Sequence, residues 1–142
     1  MFKKAKWHKA VKKAKTTRRK LRDQLDKLWA EIVKQRVNDI CEYQGCNKIT
    51  YLNSHHIFGK MNMATRWDLE NGLCLCCGHH TLNTFSAHQS PAFEDWIKKH
   101  IGKERYRRIE AKSYTIKKWT IPELEELVEE FKKEITSEGN HS

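Results

Sequence analysis

Two clusters of metal-binding side chains constrain this chain more than anything else in it. Cys41 and Cys46 bracket the segment Cys-Glu-Tyr-Gln-Gly-Cys, and residues 73–80 read Leu-Cys-Leu-Cys-Cys-Gly-His-His. Gly45 permits the tight turn that a cysteine knuckle needs. The second cluster offers two half-sites, Cys74 with Cys77 or Cys76 with His79. Either suits tetrahedral zinc, which accepts thiolate and imidazole alike. Five cysteines are an odd number, and they bunch with histidines. That pattern fits metal binding in a reducing compartment better than a disulfide framework. A chain of 142 residues with 38% hydrophobic residues buries a modest core, so a structural Zn2+ is an expected staple. The competing reading is a set of buried free thiols.

Charge points to the partner. The chain carries a net +10, and the excess is not spread evenly. Residues 1–40 hold 14 Lys/Arg against 4 Asp/Glu, whereas residues 41–142 hold 14 against 14. A basic segment of this density calls for a polyanion, and nucleic acid is the commonest. The plain alternative is a solvated lysine-rich tail. No run approaches the ~20 apolar residues of a membrane span. The positive N-terminus is followed by no apolar stretch of the secretory kind. The early half of the basic segment has too little apolar face to lie on a membrane surface. A cytoplasmic location is the expectation.

Three zones follow. Residues 1–40 contain no Pro or Gly, and Leu21, Leu25, Leu28, Trp29, Ile32 and Val33 recur at helical spacing. The first fifteen residues lack that stripe and form a basic arm, frayed or continuing the helix. Residues 41–90 lose helical periodicity. A strand is predicted over 49–58, a loop over 59–70, a short strand over 72–75 and a helix start near Gly78. Residues 91–142 read as helices. Ser90 and Pro91 start the first, with Ser90 as cap, and Gly102 ends it. A short helix is predicted over 103–112. Thr120 and Glu123 form a capping box ahead of the stripe Leu124, Leu127, Val128, Phe131 and Ile135. The predicted fold class is therefore α+β and mostly helical.

The histidines carry the chemistry. Five of eight lie between positions 55 and 88, and His55 and His56 are adjacent. Neighbours on a strand point to opposite faces, so one can face a metal and the other a substrate. The run His55-His56-Ile57, then Asn71, then Leu75-Cys76 and His79-His80 resembles the signature of the HNH endonucleases. Asn71 follows His56 by 15 positions; Cys76, His79 and His80 follow Asn71 by 5, 8 and 9. The similarity covers residues 41–88. The segments Ala64-Thr65-Arg66-Trp67 and Ser86-Ala87-His88 and the trailing helices resemble phage-encoded HNH proteins, including the NinG recombination-nuclease group.

The resemblance implies a zinc-stapled ββα-metal core at residues 41–90. It would be flanked by the basic helical arm (1–40) and by C-terminal helices packing on the core (91–142). Cys41, Cys46, Cys76 and His79 would hold zinc, with His79 standing where the family usually has cysteine. That departure keeps Cys74 and Cys77 in play, as it does an exchange of roles between His79 and His80. His56 would be the general base, and Asn71 would pin the loop that orients it. His55 and His80 would ligate a catalytic divalent ion, Mg2+ or Mn2+ with Zn2+ or Ni2+ as alternatives. His88 would complete that site or touch the phosphate. Lys12, Lys13, Arg18, Arg19 and Arg66 are candidate DNA contacts, and phosphate contacts of this kind bring weak sequence specificity. The expected function is metal-dependent cleavage of duplex or branched DNA, by a monomer or homodimer, in the host cytoplasm if the gene is a phage's. The alternatives are a non-catalytic zinc-containing nucleic-acid-binding module and a protein-binding accessory factor that docks through its acidic C-terminal helix.

Overall fold

The structure, a computed structural model, describes residues 2–139. Its elements are α1 (Phe2–Gln35), β1 (Leu52–His56), β2 (Gly72–Cys76), α2 (Ala92–Ile101), α3 (Lys103–Ser113) and α4 (Ile121–Gly139). The fold is α+β, with one two-stranded sheet among the described residues. No described helix is long and apolar enough to cross a membrane.

The basic arm is helical from Phe2 onward, continuous with the striped segment. The helix ends at Gln35, where residues 36–39 form a turn closed by Asp39 N–H donating to the Lys34 carbonyl. Asn38 and Asp39 both take left-handed φ there, a conformation that these two residue types tolerate.

The chain divides into two compact units, residues 1–28 with 119–142, and residues 29–118. These cross the zones that composition suggests, because compactness follows apolar contact rather than charge. In the first unit, Leu124, Val128 and Phe131 bury the stripe of α4. The capping box forms as predicted: Thr120 N–H donates to the Glu123 carboxylate at 2.9 Å, and Glu123 N–H donates to Thr120 Oγ1 at 3.3 Å. The Arg18 guanidinium donates to the Trp119 carbonyl.

In the second unit the strands pair antiparallel, Leu52 opposite Cys76 through His56 opposite Gly72. The sheet has helices on both faces. On one, Ser54 Oγ–H donates to the Ala30 carbonyl at 2.6 Å, and Gly72 lies so close to Trp29 and Val33 that an added Cβ would meet them at 2.8 and 2.5 Å. On the other, Leu73 and Leu75 pack with Phe93 and Ile97 of α2. Helix α2 begins with Pro91, not Ser90, at its cap, and no side chain caps it. Pro91 has no N–H to satisfy, and its φ of −59° already suits entry into the helix. Gly102, at φ +87°, separates α2 from α3.

Candidate metal centres and cleft

The 15-residue connection between the strands positions the end of β1. Asp68 caps the short turn Leu69–Asn71 by accepting from Glu70 N–H at 2.9 Å. Asn71 is fully buried and spans the loop. Its Oδ1 accepts from Phe58 N–H at 2.8 Å, and its Nδ2 donates to the carbonyls of Phe58 and Thr65, both at 3.0 Å.

After β2, residues Gly78–Leu82 make one wide helical turn, closed by Asn83 N–H donating to the Gly78 carbonyl at 2.8 Å. The chain then doubles back. Ala87 N–H donates to the His79 carbonyl and His88 N–H to the His80 carbonyl. This return brings His88 against His80, although they are eight residues apart.

Two groups of ligand atoms result. Cys41, Cys46, Cys76 and His79 place three sulfurs and one imidazole nitrogen within 4.8 Å of one another. Cys46 Sγ lies 3.8 Å from Cys76 Sγ. His79 Nδ1 lies 3.3 Å from Cys76 Sγ and 3.7 Å from Cys41 Sγ. A tetrahedral zinc with arms of about 2.3 Å to sulfur and 2.0 Å to nitrogen has edges of about 3.8 Å (S–S) and 3.5 Å (S–N). The group therefore fits a structural metal such as zinc. Its electrostatics agree. Burial pushes the Cys41 thiol up to about 12. Cys76 goes the other way: burial opposes ionisation, but the amides of His79 and Gly78 and the thiols of Cys46 and Cys41 outweigh it. Three thiols this close ionise together only when a cation shares their charge. Tyr43 stacks on the His79 ring at 4.1 Å. Cys74 and Cys77 stand outside the group. The buried Cys74 thiol is pushed up to about 11, first by burial and then by Glu42.

The second group is His55, His80 and His88, again with ligand atoms within 4.8 Å. His80 Nε2 and His88 Nε2 are 3.0 Å apart, and the three rings meet nearly edge to face. An ion with nitrogen arms of about 2.1 Å spans edges of about 3.0–3.4 Å. Burial holds the His55 imidazole down at about 3, reinforced by His80, His88 and His56. Burial, then His88, lowers His80 as well. Neutral imidazoles with converging lone pairs suit a divalent cation. The adjacent histidines are thus parted, His79 among the cysteines and His80 among the histidines.

His56 points to the other face of the strand. Its Nε2 lies 2.9 Å from the Arg66 carbonyl, and its ring lies flat on Trp29, centroids 3.9 Å apart and planes 10° from parallel. A carbonyl only accepts, so Nε2 carries the hydrogen and the neutral ring keeps its lone pair at Nδ1. His55, His56 and His88 line an open cleft of about 500 Å³, together with Gly59, Ser90 and Glu94.

The candidate DNA contacts divide. Lys12, Lys13 and Arg19 are exposed on α1, whereas Arg18 is half-buried and engaged by Trp119. Arg66 is only 7% exposed, lies over the Trp67 ring and donates weakly to the Lys60 carbonyl. Its place is within the packed loop, unlike the exposed candidates on α1. Trp29 belongs by spacing to the apolar stripe of α1, and nothing in the spacing marks Gly72. A lone tryptophan in a Leu/Ile stripe was the one available signal.

No protein-family model matches the chain, and no curated protein or solved structure matches it.

Proposed function

We propose that this chain is a metal-dependent DNA endonuclease of the HNH, or ββα-metal, type. One observation carries the reading. The cysteine knuckle, the strand hairpin and the helical turn after it divide seven histidines and cysteines into two separate ligand groups, one of which reaches a cleft through His55 and His88, and His56 lines that cleft while belonging to neither. Cys46 completes the first group from the knuckle that Cys41 opens. A purely structural zinc module accounts for the Cys3His group and leaves the three-histidine group without a purpose.

In this reading His56 takes a proton from water at Nδ1, while Nε2–H stays on the Arg66 carbonyl and fixes the ring. The water oxygen bonds to phosphorus, the P–O3′ bond breaks, and the departing O3′ takes a proton from a solvent water. A divalent ion held by His55, His80 and His88 would supply charge neutralisation at the phosphate. Asn71 keeps the loop that presents the Arg66 carbonyl. An all-imidazole set favours transition-metal ions over Mg2+, which prefers oxygen. Exposed cations of α1, Lys12, Lys13 and Arg19, would bind phosphates without reading sequence.

The test is metal content together with cleavage of supercoiled, branched and single-stranded DNA. Wild type should cleave with Mn2+ or Ni2+ at lower concentration than with Mg2+. His56→Ala should lose roughly 10²–10⁴-fold in rate while keeping its zinc. Equal behaviour of the two proteins on every substrate would leave a non-catalytic zinc-containing nucleic-acid-binding module as the answer.

A further inference from the structure

We propose that Trp29 is a positioning residue for His56, so that helix α1 holds the ring of the base as firmly as the hairpin that carries it. The inference rests on the reading of His56 as general base, but its geometric core does not.

The observations converge on one ring. His56 lies flat on the indole at 3.9 Å and 10°. The indole is itself immobilised, being 1% exposed and donating Nε1–H to the Asp68 carbonyl at 2.9 Å. His56 Nε2–H is taken by the Arg66 carbonyl, two residues earlier in the same loop. Both rings are thus tied by their edges to one short segment and by their faces to each other. The arrangement depends on Gly72, which pairs with His56 across the sheet. Any Cβ at Gly72 would collide with Trp29 and Val33, so the glycine is what lets the indole reach the histidine.

Generic core packing does not require this geometry. A leucine could fill volume beneath the sheet, but it offers no flat face parallel to the imidazole. The hydrogen bond alone fixes one edge of the ring and leaves it free to tilt about that edge. The stack removes the tilt, and rotation about Cβ–Cγ would break both restraints at once. A base held in this way meets its proton at one angle, and misplacement by about 1 Å costs on the order of 10²-fold in rate.

The experiment compares wild type with Trp29→Phe, which keeps an aromatic face, and Trp29→Leu, which does not. Zinc content certifies folding. In cleavage assays, Trp29→Leu should lose roughly 10- to 100-fold in kcat with KM nearly unchanged, and Trp29→Phe should recover most of it. NMR of the His56 ring supplies the readout independent of activity. Wild type should show ring protons shifted upfield by the indole and a slowly exchanging Nε2–H. Both should persist in Trp29→Phe, and both should vanish in Trp29→Leu. Should Trp29→Leu fail to hold zinc, the wild-type ring signals and Trp29→Phe decide alone. An unshifted His56 ring in wild type, a persistent Nε2–H in Trp29→Leu, or a loss confined to KM would each overturn the proposal. A wild type that cleaves no DNA would sink the nuclease reading, while the ring signals would still decide whether Trp29 holds His56.

Discussion

At the scale of single residues, Asn71 is the most exacting. It is buried without exposure and uses both ends of its amide, accepting from Phe58 N–H and donating to two carbonyls. Asn71→Ala would strand a buried amide and two carbonyls, each costing about 1–3 kcal/mol when left unpaired. We expect a loss of about 3 kcal/mol or more in urea denaturation. Asn71→Asp should be at least as damaging, since a carboxylate turns acceptors toward the Phe58 and Thr65 carbonyls. An unchanged midpoint for either variant would refute this account of the loop. Residue-level chemistry was readable from sequence where spacing encodes it. The offsets from His56 to Asn71, and from Asn71 to Cys76, His79 and His80, anticipate residues that the structure gathers around β1 and β2. His79 and His80 were not separable by spacing. The return of residues 83–88, which carries His88 to His80, decides which group each joins. The burial of Arg66 has a related cause: the loop that carries it closes over its side chain.

At the scale of elements, the hairpin depends on a glycine at its most crowded point. Gly72→Ala would set a methyl group 2.5 Å from Val33 Cγ2 and 2.8 Å from Trp29 Cζ2, and both side chains are buried. We expect about 1–3 kcal/mol of destabilisation, the usual cost of overpacking. Melting of the metal-loaded protein measures it, and a variant as stable as wild type would show that the helix yields. The capping box of α4 makes a milder forecast: Thr120→Ala should cost about 1 kcal/mol. The helices were legible because stripes and punctuation agree. Gly102 and the Thr120–Glu123 box mark their ends, and Leu124, Val128 and Phe131 mark a buried face. The strands were legible to within a few residues. What the sequence could not reveal is which helix covers which face of the sheet. The stripe of α1 states that Trp29 and Val33 are buried, and only the pairing of His56 with Gly72 states against what.

At the scale of the molecule, metal and charge make separable predictions. One tightly held zinc per chain should survive dialysis through the Cys3His group, and a second ion should exchange readily through the three histidines. Cys46→Ser should lower the first stoichiometry, and His88→Ala only the second. A strong chelator should unfold residues 29–118, because metal affinity at such sites is folding free energy; protection from protease after chelation would argue otherwise. Charge is tested through salt. Each phosphate neutralised on duplex DNA adds about 0.9 to the slope of log affinity against log salt. Lys12, Lys13 and Arg19 present exposed cations, so replacing each with alanine should flatten that slope by up to about 0.9 apiece. Arg18 sits one residue from Arg19 and differs in kind, because its guanidinium serves the Trp119 carbonyl. Arg18→Ala should leave the slope nearly intact and lower the melting temperature instead. If Arg18 and Arg19 change the slope equally, Arg18 exchanges its intramolecular partner for phosphate on binding. If none of Lys12, Lys13, Arg18 and Arg19 changes it, the basic half of α1 is a solvated surface, and the proposal of a DNA partner rests on the cleft alone.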